Sequence, residues 1–333
     1  MKNDKKVGKI VANILFNQWI AVFLGVLILG IVLSIIEPVF FDINNFKNIL
    51  LTTSTSAIIA VGMTFVIMTG GIDISVGMSL FLIMSLMWKM TGILPVPLIF
   101  VFGIVVGLAV GAVNGLLICK FNIPTMIATL ATYTICRGIG YWTIDSKLKM
   151  VEEPLRGIGT GNILGIPTPI VIMVLVCIAG WYLQSYTRIG RYILAVGDNE
   201  TSARESGLNV KSIRLIAYLI CGICVGIAAV IMLGRLGAVQ TDTGYGVEFT
   251  VITAVVIGGT KLSGGRGTVI GSVIGAIFLT LINNGLNLLE VSAFIYEIVT
   301  GAVLAVAITI DLISTKKHEA KYTSERVAKL NQS

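Results

Sequence analysis

The sequence predicts an all-α polytopic membrane protein, on three observations. Of its 333 residues, 56% are hydrophobic and only 12% are charged, about half the charge of a soluble domain. Mean hydropathy is +0.94, which leaves too little polar surface to cover a globule of this length. Several apolar blocks approach or exceed the ~20 residues that cross a bilayer as a helix. They are continuously apolar, whereas the strands of a membrane barrel alternate.

In chain order, residues 1–18 form a polar tail with Lys2, Lys5, Lys6 and Lys9. A first span, about Trp19 to Ile36, is broken by Glu37-Pro38. No small-residue cleavage site follows it, so it is expected to be retained. A second span, about Leu50 to Thr69, ends at Gly70-Gly71-Ile72-Asp73-Ile74-Ser75-Val76-Gly77. A weaker third segment, Met78 to Trp88, is broken or re-entrant if it does not span.

The fourth span, Leu98 to Cys119, carries Gly103, Gly107, Gly111 and Gly115. Glycine at every fourth position gives one smooth face for close helix approach. Lys120 and Pro124 mark a turn before a fifth span to about Trp142. Residues 144–167 read as a polar loop, and Pro169 to Tyr186 as the sixth span.

The sequence then turns polar from Arg188 to Arg214. A seventh span reaches about Leu233, and a Gly-Thr-rich loop reaches Gly246. The eighth segment, Val247 to Ile257, is short. A glycine loop, 258–267, precedes a ninth span with Gly267, Gly271 and Gly275 at fourfold spacing. The tenth ends near Ile313, giving a transmembrane region of 19–313, and 314–333 form a charged second tail.

Charge placement sets the expected orientation. With both tails, the turn at Lys120, the 187–214 insert and the 258–267 glycine loop inside, seventeen of the 24 lysines and arginines face the cytoplasm, as the positive-inside rule requires. The excess positive charge, +7 overall, has no stripe of interleaved aromatics, so nucleic acid is not an expected partner. Membrane lipid is.

An internal repeat is expected. Asp73-Ile-Ser-Val-Gly77 is echoed by Asp242-Thr-Gly-Tyr-Gly246, and Asn114-Gly-Leu by Asn284-Gly-Leu, at nearly the same displacement along the chain. Segments 2–5 thus echo segments 7–10. A shift of five spans reverses orientation, giving the inverted repeat common in transporters.

Catalytic sets are missing. No Gly-rich loop ends in Lys-Ser/Thr, so no phosphate cradle for nucleotide hydrolysis is visible. The single histidine, His318, lies in the tail, and no paired carboxylates sit inside the spans. Cys119, Cys136, Cys177, Cys221 and Cys224 all fall in apolar segments and read as small buried hydrophobes. No metal, cofactor or catalytic residue is expected, and the chain is not expected to be an enzyme. An ion-coupled transporter would want embedded acids, and only Asp73 and Glu297 qualify.

Candidate pathway or broken-helix residues are Gly70, Gly71, Asp73, Ser75, Asn114, Asn283 and Asn284. Asp73 and Ser75 either line a polar pathway or cap the third segment. The asparagines either meet a solute hydroxyl or bond across helices.

Several blocks, in order, carry a family resemblance: Ala60 to Thr64, Gly71 to Gly77, Ile127 to Leu130, Thr187 to Tyr192, Gly197 to Gly207, Ala254 to Thr260 and Asn283 to Leu289. Over about residues 35–312 the chain resembles the permease subunits of bacterial ribose-type ABC importers. The resemblance implies a ten-helix fold similar to vitamin B12-type importer permeases, in the bacterial plasma (inner) membrane with both tails inside. It implies a second permease subunit, a separate cytoplasmic ATPase and an extracytoplasmic solute-binding protein. It also implies a coupling loop to the ATPase, carried over to Gly197, Asn199, Glu200, Ala203, Arg204 and Gly207. The 144–167 loop departs from the ribose permeases, so the solute is open among monosaccharides, a quorum-signal sugar derivative and nucleosides.

Overall fold

A computed structural model describes residues 18–151, 153–292 and 294–309. Apart from Gln18, both tails lie outside the described residues, as does His318. Helix α1 (Gln18–Ile36) leads through a 3-10 turn (Pro38–Phe41) into α2 (Ile43–Met68). Asp42 starts α2 by accepting the amide of Asn44 at 2.6 Å, satisfying one of the orphan donors of a first turn. Next come α3 (Val76–Lys89), α4 (Val96–Cys119) and α5 (Thr125–Thr143).

The 144–167 segment is more ordered than a polar loop. Strand β1 (Lys149–Met150) pairs antiparallel with β4 (Ala238–Val239), α6 (Glu153–Thr160) follows, and β2 (Asn162–Ile163) and β3 (Ile166–Pro167) form a small hairpin. Gly159 and Gly234 explain the docking of α6: a β-carbon on either would collide with the other's backbone or with Arg235. The spacing of these residues gave no hint of this cross-connection, because the partner is about eighty positions away.

Helix α7 (Thr168–Tyr186) leads into α8 (Arg188–Asp198) and α9 (Glu200–Glu205), so the polar insert is two short helices. The last group is α10 (Val210–Leu236), α11 (Val247–Ile257), α12 (Val269–Leu288) and α13 (Phe294–Thr309). Five helices (α2, α4, α7, α10 and α12) are long and apolar enough to cross a membrane, and α1, α3, α11 and α13 are shorter apolar helices. At 1.5 Å per residue, α3 and α11 reach roughly 21 and 16 Å, short of a ~30 Å hydrocarbon core.

Helix α2 is the axis of the bundle. From Ala57 to Met68 every side chain is buried, and α7, α10, α11 and α12 pack around it. Helix α4 lies along α10, and α12 lies along α2. The α4–α10 contact is glycine on glycine. A β-carbon at Gly107 would meet the Gly222 carbonyl, one at Gly222 the Gly107 carbonyl, and one at Gly111 the Tyr218 carbonyl. Where hydrocarbon tails are as apolar as leucine, such backbone proximity supplies the packing that holds helices together.

On α12 the stripe runs differently from its sequence pattern. Gly271 and Gly275 face the end of α11 at Gly258 and Ala254, but Gly267 precedes the helix and packs on Thr260. Thr64 and Ser272 join α2 to α12 by a buried 2.7 Å hydrogen bond.

The exterior is apolar as well. Ile28, Ile31, Val101, Ile127, Leu175, Ile178, Phe294 and Ile298 are all exposed, the inversion expected of a surface solvated by lipid.

Candidate functional site

The insert builds a polar knob at one end of the bundle. Thr187 caps α8 by accepting the Gly190 amide at 3.3 Å. Gly190, Ile193 and Val196 turn inward. At Gly197 the helix touches the end of α2, where a β-carbon would collide with the Met68 carbonyl and the Gly265 amide. Gly265 itself donates to Met68 at 3.0 Å. Gly264 (φ +86°) and Gly265 (φ +74°) adopt the left-handed conformation that glycine tolerates. Thus α8, the end of α2 and the 258–267 loop meet at three glycines. Gln184 adds a clamp, donating to the Gly267 carbonyl at 2.7 Å and accepting from the Val269 amide at 2.9 Å.

Helix α9 projects from this base. Asn199 caps it, accepting the Ser202 amide at 2.9 Å. Ala203 points inward and is buried. Gly207 (φ +81°) ends the helix, its amide bonding to Arg204 and the Leu208 amide to Ala203, a left-handed C-terminal cap. Glu200 is the clasp: Oε1 takes Arg204 Nη2 at 2.8 Å, and Oε2 takes Arg214 Nη2 on α10 at 2.8 Å.

Of the six insert residues singled out in the sequence, four are scaffold: Gly197, Asn199, Ala203 and Gly207. Glu200 joins α9 to α10, and Arg204, although paired with Glu200, leaves its side chain 67% exposed. Thr201, Ser202 and Glu205 are also exposed on α9, and sequence reasoning missed them. The helical period around the buried Ala203 would have pointed to them.

The pathway candidates fall in four separate settings. Asp73 is buried at 3% exposure. Its Oδ1 accepts the Ser75 amide at 2.9 Å and the Ser75 hydroxyl at 2.6 Å, and Asn114 Nδ2 reaches Oδ2 at 3.2 Å and Ser75 Oγ at 2.8 Å. This network fastens the α2–α3 connection to α4. Asp242, which echoes Asp73 in the sequence, is exposed.

Asn284 pairs reciprocally with Asn45, at 2.7 and 3.1 Å, fixing α12 to α2. Asn283 instead lines a cavity of about 550 Å³ bounded by α2, α10, α11, α12 and α13. Thr52, Ser56, Arg235, Thr250, Thr280 and Glu297 contribute polar groups to its wall, and Arg235 Nη1 donates to the Leu51 carbonyl at 2.6 Å. Threonines scattered through apolar helices carry no sequence signal for a shared wall. Gly70 and Gly71 line a smaller cavity of about 250 Å³ at the far end of α2. Among the described residues no group of acids, histidines and cysteines could hold a metal ion.

The comparisons with known proteins agree among themselves. A family profile described as branched-chain amino acid transport system / permease component matches residues 45–308. The ribose import permease protein RbsC of Escherichia coli (strain K12) is 42% identical over 294 residues, covering 86% of this chain and 92% of the relative. RbsC of Bacillus subtilis (strain 168) is 40% identical over 305 residues, covering 88% and 92%. The D-allose transport system permease protein AlsC of Escherichia coli (strain K12) is 33% identical over 297 residues, covering 88% and 91%. No solved structure matches the chain.

Proposed function

The chain belongs to the branched-chain amino acid transport system / permease component family, and on that premise we propose that it is the membrane subunit of an ABC importer for a ribose-like monosaccharide. The observation that carries the solute class is identity of 40–42% to ribose import permeases along nearly their whole length. A relative named for D-allose at 33% widens the class to related sugars.

In this reading helices α1–α5, α7 and α10–α13 are ten membrane segments, in the arrangement of vitamin B12-type permeases. Helices α2–α5 and α10–α13 are the two inverted halves, a reading supported by the exchange of α4–α10 for α12–α2 contacts. Both tails and the α8–α9 knob are cytoplasmic, and α6 with its small sheets faces outside, toward a solute-binding protein. A second permease subunit completes the pathway.

The exposed face of α9 (Thr201, Ser202, Arg204, Glu205) docks a separate ATPase, which supplies the hydrolysis site. Glu200 and Arg214 pass the docking force into α10, which lies along α4. Gly197 passes it to the end of α2, which lies along α12. The two routes reach both halves through stiff helices. A nucleotide-dependent ATPase shape can then bias one arrangement of the halves over the other, which requires differential engagement of the two states.

Reconstitution tests the proposal. Vesicles containing the permease, its ATPase and its binding protein are expected to take up ribose only with ATP. Uptake without ATP, or ATP hydrolysis by the purified permease alone, would overturn the subunit assignment.

A further inference from the structure

The smaller cavity, about 250 Å³, lies where the end of α2, the α4–α5 turn and the first turns of α10 meet. Its walls include Gly71, Pro124, Thr125, Arg214 and Tyr218, and no acidic residue lines it. Three kinds of donor converge there. The first is the start of α5, a 19-residue helix whose N-cap is Pro124 and which has no side-chain cap. Its first-turn amides carry the positive end of the helix dipole.

The second is Tyr218. Its side chain is fully buried, and its hydroxyl has no hydrogen-bond partner among the described residues. That hydroxyl abuts Gly71, where a β-carbon would stand 2.8 Å away. A buried phenol left unpaired is costly, so its position beside a polar cavity calls for an acceptor. The third is Arg214, whose side chain is 30% exposed and which meets Glu200 through Nη2 alone. A guanidinium has five N–H donors, leaving others for a planar or tetrahedral oxyanion. Asp73, in the adjacent connection, is committed to Ser75 and Asn114.

We propose that this cavity binds a phosphate group through Arg214, the Tyr218 hydroxyl and the α5 amides, and that the bound phosphate competes with Glu200 for Arg214. Such competition would loosen the clasp that holds α9 to α10. Its regulatory consequence, slower import when phosphate accumulates on that side, rests on the reading of α9 as the ATPase dock. The binding itself does not.

The test is binding of radiolabelled inorganic phosphate to the purified full chain in phosphatidylcholine nanodiscs. Saturable binding is expected, weakened about tenfold or more in Arg214→Gln and several-fold in Tyr218→Phe, as loss of bonds to a charged ligand implies. Glu200→Gln, which frees Arg214, is expected to tighten binding several-fold. Tyr218→Phe keeps the packing and so carries the test if Arg214→Gln does not fold.

Adding phosphatidic acid to the nanodiscs separates the two sources of the group: competition assigns the site to a lipid headgroup, and its absence assigns it to soluble phosphate. No saturable binding by the unaltered protein, or equal binding by Arg214→Gln and Tyr218→Phe, would overturn the site. Unchanged affinity in Glu200→Gln would overturn the competition. Neither result depends on ATPase or sugar, so a failure here is distinct from a failure of the transport assignment.

Discussion

Glu200 Oε2 and Arg214 Nη2 stand 2.8 Å apart, and this contact ties the short projecting helix α9 to the second turn of α10. The pair is partly exposed, at 39% and 30% of the two side chains, so its contribution to stability is expected to be small, about 1 kcal/mol or less. Glu200→Gln should therefore leave the melting temperature within a few degrees of the parent while lowering ATP-driven uptake. A large drop in thermal stability would mean that the clasp is a folding element and not a linkage.

The glycine contact between α4 and α10 should tolerate no side chain. At Gly107 and Gly222 a β-carbon meets carbonyl oxygens of the opposite helix, which cannot rotate away. Gly107→Ala or Gly222→Ala is expected to destabilise by about 1–3 kcal/mol through overpacking. Unfolding in detergent, followed by fluorescence-detected size exclusion, should show this. Gly92 and Gly138, which have open space around a β-carbon, serve as controls. Gly138 lies in helix α5 and is the cleaner of the two, because Gly92 has a positive φ.

The Asp73 network should respond to loss of the acceptor more than to loss of charge. Asp73→Ala leaves the Ser75 hydroxyl and the Asn114 amide without their shared partner, at a cost of about 1–3 kcal/mol. Asp73→Asn keeps an acceptor oxygen and should cost less. Equal losses in the two variants would show that the network matters through charge.

Thiol chemistry offers a further check on burial. Cys221 and Cys224 are buried free thiols with no disulfide among the described cysteines, and both pack by Gly62 of α2. A membrane-permeant maleimide should label them only after denaturation. Rapid labelling of the folded protein would contradict the α2–α10 packing.

Much of the helical skeleton was legible in the sequence because apolar length and glycine spacing are local signals. The ends of α4, α7 and α11 fall within a few residues of expectation. Partnerships across the chain were less accessible. Gly197 looked like a contact for another protein, yet it serves the close approach of Met68 and Gly265; a glycine signals proximity without naming the neighbour. Asp73 and Asn114 were both singled out, but nothing in one sequence joins residues forty positions apart. Asn45 was missed altogether, because its importance exists only opposite Asn284. The fold of residues 144–167 depended on Gly234 and Val239, far along the chain.

Arg204, exposed on α9, is the residue whose substitution bears hardest on the proposed ATPase dock. Arg204→Glu should insert into the membrane, purify as the parent does and keep its melting temperature, because Glu200 retains Arg214. Co-purification with the ATPase and ATP-driven ribose uptake are expected to be lost together. Unaltered ATPase binding and uptake in Arg204→Glu, with the protein correctly inserted, would mean that α9 does not dock the ATPase.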